Sequence, residues 1–321
     1  MHYYPYFRGK LYELITIREN AKRMAQANIV PIIEPVKADL AGFKRTVKAL
    51  IAYDNHFIVI ANPQCGEFHD APHKLSVTLM DTILDSVSGY EKFSIGYIID
   101  PNTDLACVNE FCKEAAFPVS IIHCGYPRGR DLATVLNDNE AVNEHIFVEK
   151  YCSHLYRRNF KDRKCILIRD GFIQRKNREY PKEAEHFSDL HITYSDENVE
   201  GFGDFLMVGG DYTEGGGPAY AVAIHITFID RDEDNDMFIK HYISDRVNLP
   251  VDPGGKFLEA LEKLVEDADS PTSKIYQSDA VQEFKNIYSK QHFPGLGYVK
   301  KLSMQHHIEL LVKHLGELDG E

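Results

Sequence analysis

Apolar and polar positions alternate along the first half of the chain in two rhythms. Short, nearly continuous apolar runs read YYPYF, IVPIIEPV, HFIVIANP, FSIGYIID, FPVSIIHCG, HIFVEK and KCILIRD. Their β-branched and aromatic content suits strands, and the lack of a polar face suits a parallel sheet covered on both sides. Between most of them lie longer stretches with a three- and four-residue apolar period: LYELITIRENAKRMAQA, ADLAGFKRTVKALIAY, HKLSVTLMDTILDSV, TDLACVNEFCKEA and GRDLATVLND. In the second of these, Leu40, Phe43, Val47 and Leu50 fall on one helix face. Such alternation predicts right-handed β-α-β units. Seven strands precede Gly171, and GDFLMVG (Gly203–Gly209) supplies an eighth. The expected fold is therefore α/β, a (β/α)8 TIM-barrel-like single domain over residues 1–321, with an open doubly wound sheet as the alternative.

The rest of the chain reads as additions to that barrel. Residues 1–170 carry the βα repeats, and the polar stretch 171–200 is an insertion after strand seven, of a length usual for lids and binding loops. Residues 201–250 hold strand eight and a hairpin about the acidic turn Arg231–Asp236. That turn lacks the glycine and distant glutamate of an EF-hand and reads as solvated. Residues 251–321 are helical, with apolar stripes Leu258, Leu261, Leu264, Val265 and Ile308, Leu311, Val312, Leu315. The loop GGDYTEGGGP lacks the Lys-Ser/Thr of a phosphate cradle, so its glycines read as shaping a turn.

Composition narrows the function classes. The net charge is −13 and the pI about 5.6, which disfavours a protein built chiefly to grip bare nucleic acid. Two basic runs remain as a nucleic-acid surface, Arg157, Arg158, Arg163 and Lys164 in one and Arg175 and Lys176 in the other. No apolar run nears the roughly 18 residues of a membrane span. The six cysteines form no C-x-x-C pair, which with the absence of a leader pattern predicts a cytoplasmic protein with reduced thiols.

In a barrel, the C-terminal ends of the strands meet at one mouth. Glu34, Asp100 and Glu149 stand there as candidate catalytic carboxylates, able to work as acid and base or to hold a hard cation. Arg8, Lys10, Lys37, Asn62, His123, Lys150, Arg169 and Asp170 are candidate ligand-binding groups, the cations suited to phosphate or carboxylate. Together they would suit metal-assisted phosphodiester cleavage, with magnesium as the ion. No residue set assigns a metal site, and no G-x-S-x-G, H-E-x-x-H or Walker motif is present. Charged strand ends also arise simply because strands end in water, so a binding protein and a plain scaffold stay open beside an enzyme. Glu34 should point into the mouth and pair with a basic group, Lys10 or Lys37 first.

Four stretches carry a family resemblance: YYPYFRGKLYELITIRE, IVPIIEPVK, the block His186–Phe228 and HFPGLGYVKKLSMQHHIELL. Collinear over nearly the whole chain, they resemble a bacterial family related to the phage-type beta-protein superfamily. Arg8, Gly9, Lys10, Glu34, Lys37, Asp204 and Tyr220 fall inside its motifs. The resemblance implies a mobile-element or phage-defence component and a partner, a small nuclease-like protein encoded beside it. It brings no catalytic residues with it.

Overall fold

Eight parallel strands form one sheet in chain order: β1 (Tyr6–Phe7), β2 (Ile32–Ile33), β3 (Phe57–Ile60), β4 (Phe93–Ile99), β5 (Val119–His123), β6 (Val142–Val148), β7 (Cys165–Ile168) and β9 (Gly201–Gly203). β8 (Glu185–Ser188) belongs to a second sheet. The computed structural model describes residues 3–68, 77–215 and 217–318. Helices α1 (Leu11–Gln26), α2 (Ala41–Ala52), α3 (Val77–Ser86), α4 (Leu105–Glu114) and α5 (Gly129–Leu136) follow the first five strands. The first four residues of the expected third helix, 73–76, lie outside the described residues. Short α6 (His154–Arg157) precedes β7, and α7 (Leu190–Thr193) follows β8.

The sheet closes on itself. Tyr3 bridges Phe202 in parallel, Tyr4 N–H donates to the Phe202 carbonyl at 2.7 Å, and Tyr6 N–H donates to the Asp204 carbonyl at 2.9 Å. The barrel is thus the (β/α)8 form and not the open sheet. Its interior is filled by alternate residues of each strand, among them Tyr4, Tyr6, Ile32, Ile58, Ile60, Ile98, Ile122, Ile146, Val148, Ile166 and Ile168. This strand alternation also fixes which polar residues face inward further along each strand.

The eighth barrel strand differs from the expected Gly203–Gly209: it runs Gly201–Gly203, beginning before that stretch and ending at its first residue. Leu206 has a left-handed backbone (φ 51°), which no extended strand tolerates, so pairing stops before it. Asp204 consequently follows the strand and does not begin it, and its carboxylate accepts from the Tyr3 hydroxyl at 2.8 Å.

Two compact units divide the chain, where the sequence reading has one barrel-like domain. The first comprises Met1–Asp170 and Thr193–Phe205; the second comprises Gly171–Ile192 and Leu206–Glu321. In the second unit, β10 (Ala223–Asp230) and β11 (Asp236–Ile243) form the hairpin about the acidic turn, and β8 joins it in the order β10-β11-β8. The stretch read as an insertion is therefore in part a strand of this antiparallel sheet. Helices α8 (Pro253–Asp269), α9 (Asp279–Ser289) and α10 (Leu296–Leu318) complete the unit. Its core joins Ile224, Ile226 and Tyr242 of the sheet to Phe257, Leu261, Phe284 and Leu302 of the helices. Asp252 caps α8 ahead of Pro253, and Ser278 caps α9, each accepting from an otherwise orphaned N–H. The glycine loop lies here too: Gln174 Nε2 donates to the Val208 and Asp211 carbonyls at 2.6 and 2.9 Å, pinning its start. Among the described residues no helix is long and apolar enough to cross a membrane.

Barrel closure makes a specific demand at Gly203. A Cβ there would stand 2.0 Å from the Tyr4 carbonyl oxygen and 2.5 Å from Ile168 Cδ1. Because the first contact is backbone, it relaxes only by parting β9 from β1. Gly203→Ala should destabilise the protein by about 3 kcal/mol, at the upper end for overpacking. Urea unfolding checks this; a midpoint equal to wild type would contradict the closure geometry.

Candidate functional site at the barrel mouth

β1 continues its inward register through Tyr4 and Tyr6 to Arg8. There Gly9 takes a left-handed backbone (φ 63°), and a Cβ on it would sit 2.7 Å from the Glu34 carbonyl oxygen. Glycine thus lets the chain turn against the end of β2. Glu34 lies on the inward register of Ile32 and is fully buried. Arg8 Nη1 donates to Glu34 Oε2 as an ion pair, the Tyr6 hydroxyl donates to the same oxygen at 2.8 Å, and Gln64 N–H donates to Oε1 at 2.8 Å. The Arg8 guanidinium also lies over the rings of Tyr6 and Phe205, 4.8 and 5.2 Å from their centroids. Burial works against the charge of Arg8, and Glu34 more than offsets it, so the guanidinium pKa is raised. Beside them, burial and Glu34 push the Cys65 thiol up to about 12, and burial with Cys152 and Glu34 raises that of Cys124. These thiols are protonated and not nucleophilic at neutral pH.

Glu34 therefore faces inward and is paired, as its place in the strand requires. Its basic partner is Arg8, whereas Lys37 is exposed and reaches the exposed Glu67 at 3.1 Å. Lys10 is the half-buried residue just before α1.

Strand parity sorts the other candidates. Asn62 lies on the inward register, where its amide donates to the Ile98 carbonyl and accepts from the Ile98 N–H, both at 2.8 Å. It thereby extends the β3–β4 ladder. Asp100 follows β4 on the inward register and closes its own turn, Oδ1 accepting from Asn102 N–H at 2.9 Å and from Thr103 Oγ1 at 3.0 Å. Asp170 is exposed beyond β7, and Lys150 is exposed with its ammonium 5.5 Å from the Tyr151 ring centroid.

Three candidates fall on the outer register and do not reach the lumen. Glu149 and Arg169 share the parity of Phe147 and Leu167 and form a bidentate pair, at 2.7 and 2.8 Å. Arg169 also approaches Glu197 at 3.4 Å, which Arg157 holds at 2.6 Å. His123 faces outward because Ser120 and Ile122 alternate with it into the barrel. Its Nε2 meets His145 Nδ1 at 3.0 Å and its Nδ1 meets the Tyr156 hydroxyl at 2.8 Å, among the rings of Phe147 and Phe160. The sequence reading took the last residues of the strands without regard to parity, and three of them belong to the other face.

The three candidate carboxylates are thus engaged in three separate places: Glu34 by Arg8, Asp100 by its own turn, Glu149 by Arg169. Among the described residues no three His, Cys, Asp or Glu side chains are grouped to hold a metal ion. The donor set does not fit a magnesium cage. The basic runs are similarly committed. Arg157 and Lys164 pair with Glu197 and Glu144, Arg175 pairs with Glu185, Lys176 reaches Glu179 at 3.8 Å, and Arg163 donates to the carbonyls of Asn137, Asn139 and Val142. Arg158 is exposed.

A second polar group inside the barrel escaped the sequence reading. Glu144 is fully buried on the inward register of β6 and accepts from Ser120 Oγ at 2.8 Å, Lys164 Nζ at 2.8 Å and the Tyr4 hydroxyl at 3.3 Å. The signal was the alternation of VNEHIFV, which places Glu144 with Ile146 and Val148; starting the strand at His145 hid it.

No family model and no curated protein matches the chain. Among solved structures, it is similar to an O-GlcNAc hydrolase variant from Thermobaculum terrenum, with 14% identity and a TM-score of 0.41, over 64% of this chain and 55% of that one. It is also similar to N-acetylneuraminate lyase from Mycoplasma synoviae, with 10% identity and a TM-score of 0.39, over 64% of this chain and 68% of that one. The chain spans little more than half of the hydrolase, and neither likeness bears on ligand or reaction.

The histidine pair sets a pH dependence. Burial and His145 hold His123 well below its ordinary pKa, and burial with Arg163 lowers His145 to about 3. Unfolded, both titrate near 6.5. On acidification the unfolded chain binds protons first, so the stability of the neutral pair is complete above about pH 6.5 and is lost as pH falls toward 3. The slope is up to about 1.4 kcal/mol per pH unit for each ring. An H123F/H145F variant should show a shallower fall of Tm between pH 6.5 and 4 than wild type; parallel curves would contradict the assignment.

Proposed function

We propose that this protein acts by binding and not by hydrolysis: a barrel component of a phage-defence or mobile-element system that engages a partner protein. The observation that carries the reading is the commitment of each candidate carboxylate to groups of the chain itself. Glu34 is held by an arginine, a tyrosine and a backbone N–H, and Glu149 by both arms of Arg169. A general acid or base needs a titratable oxygen within reach of the substrate, and a carboxylate locked to a guanidinium is poorly suited to that task. The defence context rests on the family resemblance, as does the nuclease-like partner. A small anionic or nucleotide ligand at the mouth would be met by Arg8, whose fork geometry suits carboxylate or phosphate.

Charge-neutral isosteres separate binding from catalysis. In a phage-challenge assay of the intact operon, Asp100→Asn and Glu149→Gln should protect within about threefold of wild type, a difference worth less than ~1 kcal/mol. Both variants should still co-purify with the neighbouring gene product. Loss of protection in a folded variant that keeps its partner would overturn the binding reading and favour the hydrolase.

A further inference from the structure

In the second unit, the strand order leaves part of one edge open. β8 pairs with β11 only as far as Ile239, opposite Glu185, while β11 continues to Ile243 alongside β10. Ser244 N–H donates to the Val222 carbonyl at 2.9 Å, which marks the even-numbered residues as those bonded to β10. By the alternation of an antiparallel ladder, His241 and Ile243 direct their backbone groups to the outer edge. Lys263 Nζ takes the Ile243 carbonyl at 2.6 Å. The N–H and C=O of His241 and the N–H of Ile243 are left, and no hydrogen bond among the described residues engages them.

This edge lines a cavity of about 570 Å³, open to solvent. The cavity wall carries four cations, Arg178, Lys182, Lys240 and Lys263, against two carboxylates. Lys240 pairs with Asp267 and Lys263 with Asp245, each at 2.6 Å. Arg178 and Lys182 are exposed, and neither has an ion-pair partner among the described residues. A wall with two uncompensated cations stands out in a chain of net charge −13.

We propose that the β11 edge from Lys240 to Ile243 is a docking site for an extended acidic peptide of a partner protein, which adds to the sheet as a strand. Open edge donors and acceptors are a template for such addition, and proteins that keep one for no purpose usually blunt it. Backbone hydrogen bonds to His241 and Ile243 supply the register, for about four residues of peptide at ~3.3 Å each. Arg178 and Lys182 select for acidic side chains. The inference rests on the partner-binding reading above but uses a surface of the second unit.

The test is fluorescence anisotropy with the full chain and a labelled octapeptide of alternating glutamate and valine. The expected result is saturable binding that weakens by about tenfold or more in two independent ways. One is N-methylation of alternate peptide amides, which leaves the protein untouched; the other is the exposed double substitution R178E/K182E. An alternating lysine and valine peptide should not bind. No binding of the acidic peptide, or binding unchanged by N-methylation, would overturn the proposal, as would equal binding by R178E/K182E. If the peptide fails while wild type still co-purifies with its neighbour, this edge is removed and the partner reading stands. Peptide binding without co-purification has the reverse meaning.

Discussion

The mouth of the barrel is organised by one buried ion pair. Arg8 and Glu34 leave water together, and their desolvation is offset by their mutual attraction and by the further hydrogen bonds that the Glu34 carboxylate accepts. Glu34 is completely buried, and its oxygens receive an arginine and a tyrosine hydroxyl from the β1 segment and a backbone N–H from the loop after β3. β1, β2 and the loop after β3 are thereby tied at one point. Gly9 allows the close approach, and the rings of Tyr6 and Phe205 flank the guanidinium. Losing either charge would strand the other in a medium that solvates it poorly.

The barrel interior is polar at both of its ends and apolar between. Glu144 with Lys164, Ser120 and Tyr4 forms one polar group; Arg8, Glu34, Gln64 and Asn62 belong to the other. Between them the isoleucines of successive strands pack on one another. Gly96 marks how tight that packing is, since a Cβ there would lie 3.0 Å from both Ile60 and Ile122.

Much of the fold was legible from local pattern alone. Seven of the barrel strands and their helices follow from apolar runs and helical periodicity, because both faces of a parallel strand are buried and helices show one apolar face. What was not legible depends on distant partners. The place of β9 in the barrel is set by the β1 segment lying against it, a contact between residues some two hundred positions apart. β8 reads as polar loop because three of its four residues are polar, and the hairpin that pairs with it comes later in the chain. At the mouth, residue type was visible but orientation was not. His123, Glu149 and Arg169 have the chemistry of a site, and strand parity sends them outward, whereas Arg8 emerged as the partner of Glu34 through the alternation of Tyr4, Tyr6 and Arg8.

A double-mutant cycle on the ion pair tests this account most directly. Urea unfolding would be measured for Arg8→Met, Glu34→Met and the two together. The buried pair predicts that each single substitution costs about 3–5 kcal/mol, since it leaves a lone buried charge. The double variant should then be more stable than the sum of the two losses allows, with a coupling of at least ~1.5 kcal/mol. Additive losses below ~1 kcal/mol each, the range of exposed salt bridges, would contradict the central place given to Arg8 and Glu34.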